Sequence, residues 1–363
     1  MAEIIVSSPQ PYPVVIEPTA LRLLPEYLGG AGQVALVYPS VLAGTAAVAQ
    51  VALQDSKIRV LPLVVPEGET AKTAQVLTAL WSALAKANFT RTDLVIGVGG
   101  GATTDVAGFL AASYLRGIPW IAVPTTVLGA VDASVGGKTA IDLPEGKNLV
   151  GAFHDPRAVL IDFDLLRSLP PREIRSGLAE VAKTGFIADA AILKLILDDP
   201  VSSQQVTSER FAELVTRAVQ VKAATVAADP EERILATGSV GREQLNYGHT
   251  VGHAIEAYEQ FRWRHGEAIA VGMVYAAELA ARTTGLAPET VALHRSVLRA
   301  LELPISYAAA PYAAIRDFIS RDKKTRGGTP RFVLLDKPQH PIITTPTEEA
   351  MSAAYQKLRN DIL

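Results

Sequence analysis

The hydrophobic periodicity changes once along the chain, and that change limits the fold more than any other feature. Up to about residue 165, short β-branched runs alternate with helical stretches. VALVY (34–38) precedes VLAGTAAVAQVAL, and IRVLPLVV (58–65) precedes a helical pattern from Ala71. LVIGV (94–98) leads into a Gly turn and DVAGFLAASYL, and WIAVP (120–124) and AVLID (158–162) are further strands. Continuous apolar strands separated by helices predict a mostly parallel sheet covered on its faces. From about Pro171 the patterns become long and helical, over 172–195, 208–228, 242–258, 266–284 and 288–301. Only RFVLL (331–335) and PIITT (341–345) read as strands there, as a late hairpin. Leu169-Pro170-Pro171 is the expected boundary, because proline ends one element and Pro-Arg-Glu opens a helix. The expected architecture is α/β plus all-α, with an α/β domain over 1–170, a mainly helical domain over 171–363 and a ligand in the cleft between them.

Composition removes several function classes. Lys and Arg number 34 against 37 Asp and Glu, a net charge of −3, which offers no polyanion-binding surface; nucleic acid is not an expected partner. Cysteine is absent, so disulfide scaffolds, cysteine-based zinc fingers, iron–sulfur clusters and thiol nucleophiles are excluded. The start, MAEIIVSSPQPYPVV, has no basic lead and no long apolar core, and a cytoplasmic protein is expected. Tyr27 to Gln54 carries no charge, but Gly29, Gly30, Pro39 and Gly44 break it, so no membrane span is expected.

Two motifs in the first half suit anionic ligands. In LVIGVGGGATTD, Gly97, Gly99 and Ala102 fit the spacing G-x-G-x-x-A directly after a buried strand. Glycines there let backbone approach a pyrophosphate, and the next helix N-terminus favours negative charge. The turn follows a later strand rather than the first, so it is equally a tight strand-to-helix connection. VDASVGGKTAIDLPEGKN (131–148) contains Gly-Lys-Thr, but a P-loop needs glycine where Asp132 stands. An acid in that cradle would repel phosphate. What remains is Asp132, Lys138, Lys147 and Asn148 in Gly-rich backbone, which suits a small anion or a solvated loop.

The second half holds a cluster of histidines. Of six in the chain, His249, His253 and His265 fall within 17 residues. Arg242, Asn246, His249 and His253 have the spacing of one helical face, with Gly248 and Gly252 beside them to permit close packing. Without cysteine, a catalytic zinc must take ligands from His, Asp or Glu. Candidates are His249, His253, His265 and a carboxylate, and pattern alone pairs His249 with His253. Glu180 is the candidate carboxylate, set among Leu178, Ala179, Val181 and Ala182; Lys183 lies three residues on, and a plain helical ion pair accounts for both. RDKKTRGG (321–328) reads as a solvated loop or a basic lid.

Seven segments taken together resemble the 3-dehydroquinate synthase family of sugar-phosphate cyclases. They are EGETAK, GGGATTDVAGFLAASYLRG, VPTTVLGAVDASVGGKTAIDLPEGKNLVGAF, GLAEVAKTGFI, REQLNYGHTVGHAIE, HGEAIAVGM and DKKTRGG, in family order from residue 67 to 328. The resemblance implies a Rossmann-like NAD-binding domain followed by a helical metal-binding domain. It implies conversion of 3-deoxy-D-arabino-heptulosonate 7-phosphate, a phosphorylated sugar acid, to 3-dehydroquinate and phosphate in the shikimate route to aromatic amino acids. In the family NAD oxidises the C5 alcohol, phosphate is eliminated, the hydride is returned, and ring opening and aldol closure follow. A divalent metal, Zn2+ or Co2+, assists by polarising the alcohol oxygen.

Carried over residue by residue, the metal ligands are Glu180, His249 and His265, which removes His253 from the ligand set. His253 joins Lys138, Asn148, Asn246 and Lys323 around the phosphate. Lys222 and Arg242 resemble the pair that clamps the substrate carboxylate, and Asp132 and Lys183 resemble residues at the reacting hydroxyls. Arg116 is similar to a family arginine that reaches a neighbouring subunit's site, implying a homodimer. For NAD the matching positions are Glu69, Lys72, Gly101, Ala102, Thr103, Thr104, Asp105, Thr125, Thr126, Lys138, Lys147, and the stretch from Leu165 to Ser168. Two departures stand out: Tyr38-Pro39-Ser40 lies where many members carry an acid, and the stretch 229–241 is longer than usual. Rival readings are cyclases of secondary metabolism, amino-dehydroquinate synthase among them, and a metal-dependent NAD alcohol dehydrogenase. The presence of both Lys222 and Arg242 favours a carboxylated substrate.

Overall fold

The computed structural model describes residues 2–232, 240–324 and 330–360. They form two compact units, Met1–Leu169 with Lys222–Glu231, and Pro170–Val221 with Glu232–Leu363. The segment Lys222–Glu231 comes from beyond the boundary expected at 170/171. Helical periodicity shows that a segment is amphipathic but not which unit it packs with.

In the first unit β1 (Ala2–Val6) and β2 (Tyr12–Glu17) form an antiparallel hairpin. After them come β3 (Gln33–Pro39), α1 (Ala43–Leu53), β4 (Arg59–Val65), α2 (Ala74–Lys86), β5 (Leu94–Gly99), α3 (Gly101–Ser113) and β6 (Trp120–Pro124). A second hairpin, β7 (Lys138–Leu143) and β8 (Gly146–Phe153), precedes β9 (Ala158–Asp162) and the short α4 (Phe163–Leu166). The main sheet has the order β1-β2-β9-β6-β5-β3-β4, and every pair except β1/β2 is parallel. Strands β5, β6 and β9 are buried from end to end, which is why their sequences are apolar without alternation. Leu36, Ile96, Val98, Ile121, Val123 and Leu160 pack with Ala46, Ala49 and Leu53 of α1 in one core. Burying each Leu, Ile or Val side chain there contributes about 1.5–3 kcal/mol.

The strand order reverses at β3. The chain first steps outward to β4, then returns to the other side of β3 as β5. The crevice beyond the carboxyl ends of β3 and β5 is therefore a topological switch point, the usual ligand position in such sheets. This answers why a Gly-rich turn follows a later strand: β5 is the strand at that point.

In the second unit α5 (Pro171–Ile187), α6 (Ala190–Asp198), α7 (Pro200–Ser203) and α8 (Glu209–Ala228, its last turns belonging to the first unit) come first. Then follow α9 (His249–Tyr258), α10 (His265–Thr283), α11 (Pro288–Ala300), α12 (Tyr312–Lys324), the hairpin β10 (Phe332–Lys337) and β11 (His340–Thr344), and α13 (Glu348–Asn360). Helix α10 is the hub, buried from Ala268 to Ala277 and packed against α5, α9, α11 and α13. Among the described residues no helix is long and apolar enough to cross a membrane.

Three expectations are corrected. The pattern over 172–195 is broken at Ala188-Asp189, where the Asp189 carboxylate accepts from Ala191 N–H and caps α6. The pattern over 242–258 is not one helix. Gly241–Asn246 is a 3-10 turn, Tyr247 is extended (ψ 125), and Gly248 adopts φ +78 before α9 begins. Arg242 and Asn246 therefore do not share a helical face with His249 and His253. Gly248 is needed both for that dihedral and for space, since a Cβ there would lie 2.8 Å from Met273 Cγ of α10. Lastly, the Gly-rich backbone of 131–148 is a π-helical turn (Gly129–Ala133) and then the β7–β8 hairpin. Leu149, Val150 and Phe153 of β8 are exposed, so no burial rhythm marked the strand.

Candidate active site

The described residues of the second unit bring Glu180 of α5, His249 at the start of α9 and His265 at the start of α10 into one cluster. Their donor atoms all lie within 4.8 Å of one another. Glu180 Oε1 is buried, has no hydrogen-bond partner among the described residues, and faces His249 Nε2 at 3.7 Å and His265 Nε2 at 3.5 Å. An orphaned carboxylate oxygen pointing at two imidazole nitrogens is costly unless a cation completes it. The other ring nitrogens are already committed. His249 Nδ1–H donates to the Tyr247 carbonyl at 3.0 Å, and His265 Nδ1–H donates to Glu256 Oε2 at 3.2 Å. Both bonds leave Nε2 as the ligating atom, the arrangement that orients metal-binding histidines.

Local sequence explains the convergence. Pro171 pre-sets the first turn of α5. Glu267 Oε2 accepts from Arg264 N–H at 2.9 Å, fixing the start of α10 next to His265. Gly266 N–H donates to Ser176 Oγ at 3.0 Å, drawing α10 against α5. Burial alone would raise the Glu180 pKa, but Lys183, His249 and His265 reverse that and hold it well below the carboxylate range. Burial, reinforced by Lys183, pushes His249 well below the usual imidazole value, so its Nε2 keeps a lone pair. His265 resists the downward pull of burial, and the Glu180 and Glu256 carboxylates beside its ring lift it to about 10. A divalent cation would replace that proton between the carboxylates, so the donor set fits a Zn2+ or Co2+ ion.

His253 is exposed and is not in this cluster, although its ring centroid lies 5.1 Å from that of His249. It groups with Glu256 and His265 instead, but Glu256 already holds the Nδ1 proton of His265. Lys183 is 2% exposed and ion-paired with Glu180. Asn246 Nδ2 donates to Glu232 Oε1 at 3.2 Å, and Arg242 is buried in the 3-10 turn. The side chain of Lys323 and most of the lengthened stretch 229–241 lie outside the described residues.

In the first unit the Gly turn closes tightly over α3. A Cβ on Gly97 would sit 2.6 Å from Ala107 Cβ, so only glycine lets the helix pack so close to β5. Gly101 and Ala102 present first-turn N–H groups beyond the carboxyl end of β5, an anion-binding position. Thr125 N–H donates to Gly99 O at 2.9 Å, and Thr126 Oγ1 accepts from Gly129 N–H at 3.0 Å. Lys72, only 3% exposed, binds Asp105 Oδ2 at 2.6 Å and Asn148 Oδ1, with Asp142 Oδ1 at 3.9 Å. Burial raises the Asp105 pKa to about 6 against the pull of Lys72. Lys147 Nζ lies 3.7 Å from Glu69 Oε2. Glu69, Lys72, Asp105, Lys147 and Asn148 thus form one polar group. Lys222 Nζ pairs with Asp132 of the π-helical turn. Lys138 is exposed at the start of β7, Ser168 is exposed, and Leu165 packs against the hydrophobic core. Arg116 is exposed with φ +68 and lines a cavity of about 630 Å3 with Arg91, His154 and Arg157.

Sequence reasoning missed Tyr247, Glu256 and the buried His294. Glu256 had a signal, since His249, His253 and Glu256 follow the helical spacing i, i+4, i+7. Tyr247 had none, because it acts through its backbone carbonyl.

Residues 62–176 match the sequence model of the 3-dehydroquinate synthase N-terminal family, and residues 177–325 match that of the 3-dehydroquinate synthase C-terminal family. Among similar relatives, the 3-dehydroquinate synthase of Cutibacterium acnes is 52% identical over 300 residues, 81% of this chain and 83% of that one. The 3-dehydroquinate synthase of Thermobifida fusca is 49% identical over 348 residues, 95% of this chain and 93% of that one. Solved structures of similar fold include a 2-deoxy-scyllo-inosose synthase complexed with carbaglucose-6-phosphate, NAD+ and Co2+ (TM-score 0.87, 27% identity, 98% of this chain and 99% of that one). Another is a 2-epi-5-epi-valiolone synthase from Streptomyces hygroscopicus subsp. jinggangensis with NAD+ and Zn2+ bound (TM-score 0.86, 25% identity, 96% of each chain).

Proposed function

The chain belongs to the 3-dehydroquinate synthase family, and from that premise we propose which of its residues carry the conversion of 3-deoxy-D-arabino-heptulosonate 7-phosphate to 3-dehydroquinate and phosphate. The enzyme is a carbon–oxygen lyase of the shikimate route, working with NAD and one divalent metal ion, Zn2+ or Co2+. When bound, NAD takes a hydride from the C5 carbinol and gives it back, and the metal polarises the oxygen at that carbon. The observation that carries the reading is Glu180 Oε1, buried and unpartnered between two imidazole nitrogens that are both aimed at it.

Glu180, His249 and His265 hold the metal. The N-terminus of α3, from Gly101 to Asp105, takes the NAD pyrophosphate, with Thr125, Thr126, Glu69, Lys72, Lys138, Lys147 and the stretch Leu165–Ser168 around the dinucleotide. Leu165, partly buried, packs against the hydrophobic core beneath that stretch. Lys183 and Asp132 meet the reacting hydroxyls. Each is ion-paired, Lys183 with Glu180 and Asp132 with Lys222, so each can exchange a proton with a hydroxyl oxygen while its partner balances the charge. Lys222 and Arg242 hold the substrate carboxylate. Lys138, Asn148, Asn246, His253 and Lys323 hold the phosphate, and the departing phosphate can take the proton itself, so no separate base is required. Exposed Arg116 and the exposed apolar residues Leu149, Val150 and Phe153 support a homodimer in which a second copy covers this face. We propose a cytoplasmic location for this small-molecule biosynthetic reaction.

The test is direct. Chelator-treated protein given the heptulosonate phosphate, a trace of NAD and Zn2+ or Co2+ should release one phosphate for each dehydroquinate formed. No product, or product only from a phosphorylated sugar without the carboxylate, would overturn the reading.

A further inference from the structure

His294 of α11 is fully buried and far along the chain from every proposed ligand, yet it touches α5, which carries Glu180, and Tyr247, two residues before His249. Its Nδ1–H donates to the Thr290 carbonyl at 2.7 Å, one turn back along α11. That bond leaves Nε2 as an acceptor, and the Tyr247 hydroxyl donates to it at 2.9 Å. The imidazole also lies flat on Phe186 of α5, the helix of Glu180, with centroids 3.7 Å apart and planes 8° apart. Tyr247 is itself fully buried, and its carbonyl accepts the Nδ1–H of His249. The backbone there is set by Tyr247 ψ 125 and Gly248 φ +78, so nothing in a regular helix fixes the direction of that carbonyl.

We propose that Tyr247 and His294 are positioning residues for the metal centre: their buried hydrogen bond fixes the Tyr247 peptide, which fixes the tautomer and tilt of the ligating His249. A pair of apolar rings could fill the same volume without loss of stability, because both polar partners would leave together. Apolar rings would lose direction. Burial keeps His294 neutral, its pKa pushed down to about 4, and pushes the Tyr247 phenol up, so the donor and acceptor keep their roles across the neutral range. Groups that orient metal-bound histidines typically alter metal affinity about 10–100-fold when removed. Tyr247 and His294 act one bond further out, so the lower end, about tenfold, is expected.

The inference rests on the ligand set proposed above, and the experiment separates the two. Metal-free protein is titrated with Co2+ against a chromogenic chelator, and the visible absorption of the cobalt adduct is recorded. Tyr247→Phe should bind Co2+ about tenfold more weakly, with altered absorption. Tyr355→Phe is the matched control. Its hydroxyl is also buried and also donates one bond, to Ala310 O at 3.0 Å, and it should bind as the wild type does. His294→Gln, which retains an acceptor, should stay near wild-type affinity, whereas His294→Leu should weaken binding as Tyr247→Phe does. The double variant Tyr247→Phe/His294→Leu should regain the thermal stability of the metal-free fold without regaining affinity. His249→Ala should abolish tight binding. Wild-type affinity in Tyr247→Phe, or affinity recovered together with stability in the double variant, would overturn the positioning role while leaving the ligands in place. Wild-type affinity in His249→Ala would overturn the ligand set and the positioning role with it.

Discussion

Lys183→Met separates the electrostatics of the metal centre from its chemistry. Lys183 and Glu180 are each 2% exposed and ion-paired one turn apart on α5. Methionine keeps most of the volume and removes the charge, so packing changes little. The Glu180 carboxylate then stays buried with His265 as its one remaining positive neighbour, and removing one partner of a buried pair costs up to about 3–5 kcal/mol. That cost belongs to the metal-free protein. A bound Zn2+ or Co2+ supplies the missing positive charge, so roughly half or more of the loss should return on adding metal, read as linked stabilisation. The variant should also bind metal more tightly than the wild type, because a neighbouring cation has gone. Turnover should fall steeply even so, because Lys183 is proposed to meet the reacting hydroxyls. Urea unfolding with and without Zn2+, Co2+ titration and steady-state phosphate release measure the three effects. Equal stabilisation of both proteins by metal, or weaker metal binding by the variant, would refute the reasoning, since a lysine that serves only packing has no reason to oppose a cation.

Two other outcomes follow. The folded pKa of His294 is about 4 against an ordinary 6.5, so its neutrality contributes stability that is fully present above pH 6.5 and is lost as pH falls towards 4. The difference amounts to about 3 kcal/mol and should vanish in His294→Gln, checked by denaturation at a series of pH values. Arg242→Ala should weaken binding of the carboxylated substrate by about 2–5 kcal/mol, measured as an inhibition constant for a substrate analogue; an effect below about 1 kcal/mol would place that guanidinium away from the carboxylate.

Much of this was legible in the residues. The five parallel strands at 34–38, 58–65, 94–98, 120–124 and 158–162 lie within a residue or so of the observed bounds; four of them are buried almost end to end and write a dense apolar run, and the half-exposed edge strand β4 was read from its β-branched residues. The two antiparallel hairpins were not legible. β8 exposes Leu149, Val150 and Phe153, so burial imposes no rhythm on it, and β1–β2 was missed although β2 is buried over nearly its whole length. The polar stripe of Arg242, Asn246, His249 and His253 was real as composition but not as a helix face. One left-handed residue, Gly248, turns the chain between its halves, and periodicity carries no record of a dihedral. Pattern alone paired His249 with His253, four residues apart. The structure instead groups His249 with Glu180, 69 positions earlier, and with His265 across a helix break. Local spacing cannot report such distant partners, and the family resemblance supplied them. Tyr247 and His294 lay beyond both, one acting through a carbonyl and the other as a lone buried imidazole.

The central claim is that a hydride leaves the substrate and comes back within one turnover at the metal held by Glu180, His249 and His265. Inorganic phosphate and NADH absorbance, followed together with NAD far below substrate, test it most directly. The account predicts many phosphates released per NAD with no lasting NADH, and no release from Glu180→Gln. NADH accumulating in step with substrate consumed, or full phosphate release by Glu180→Gln, would contradict it.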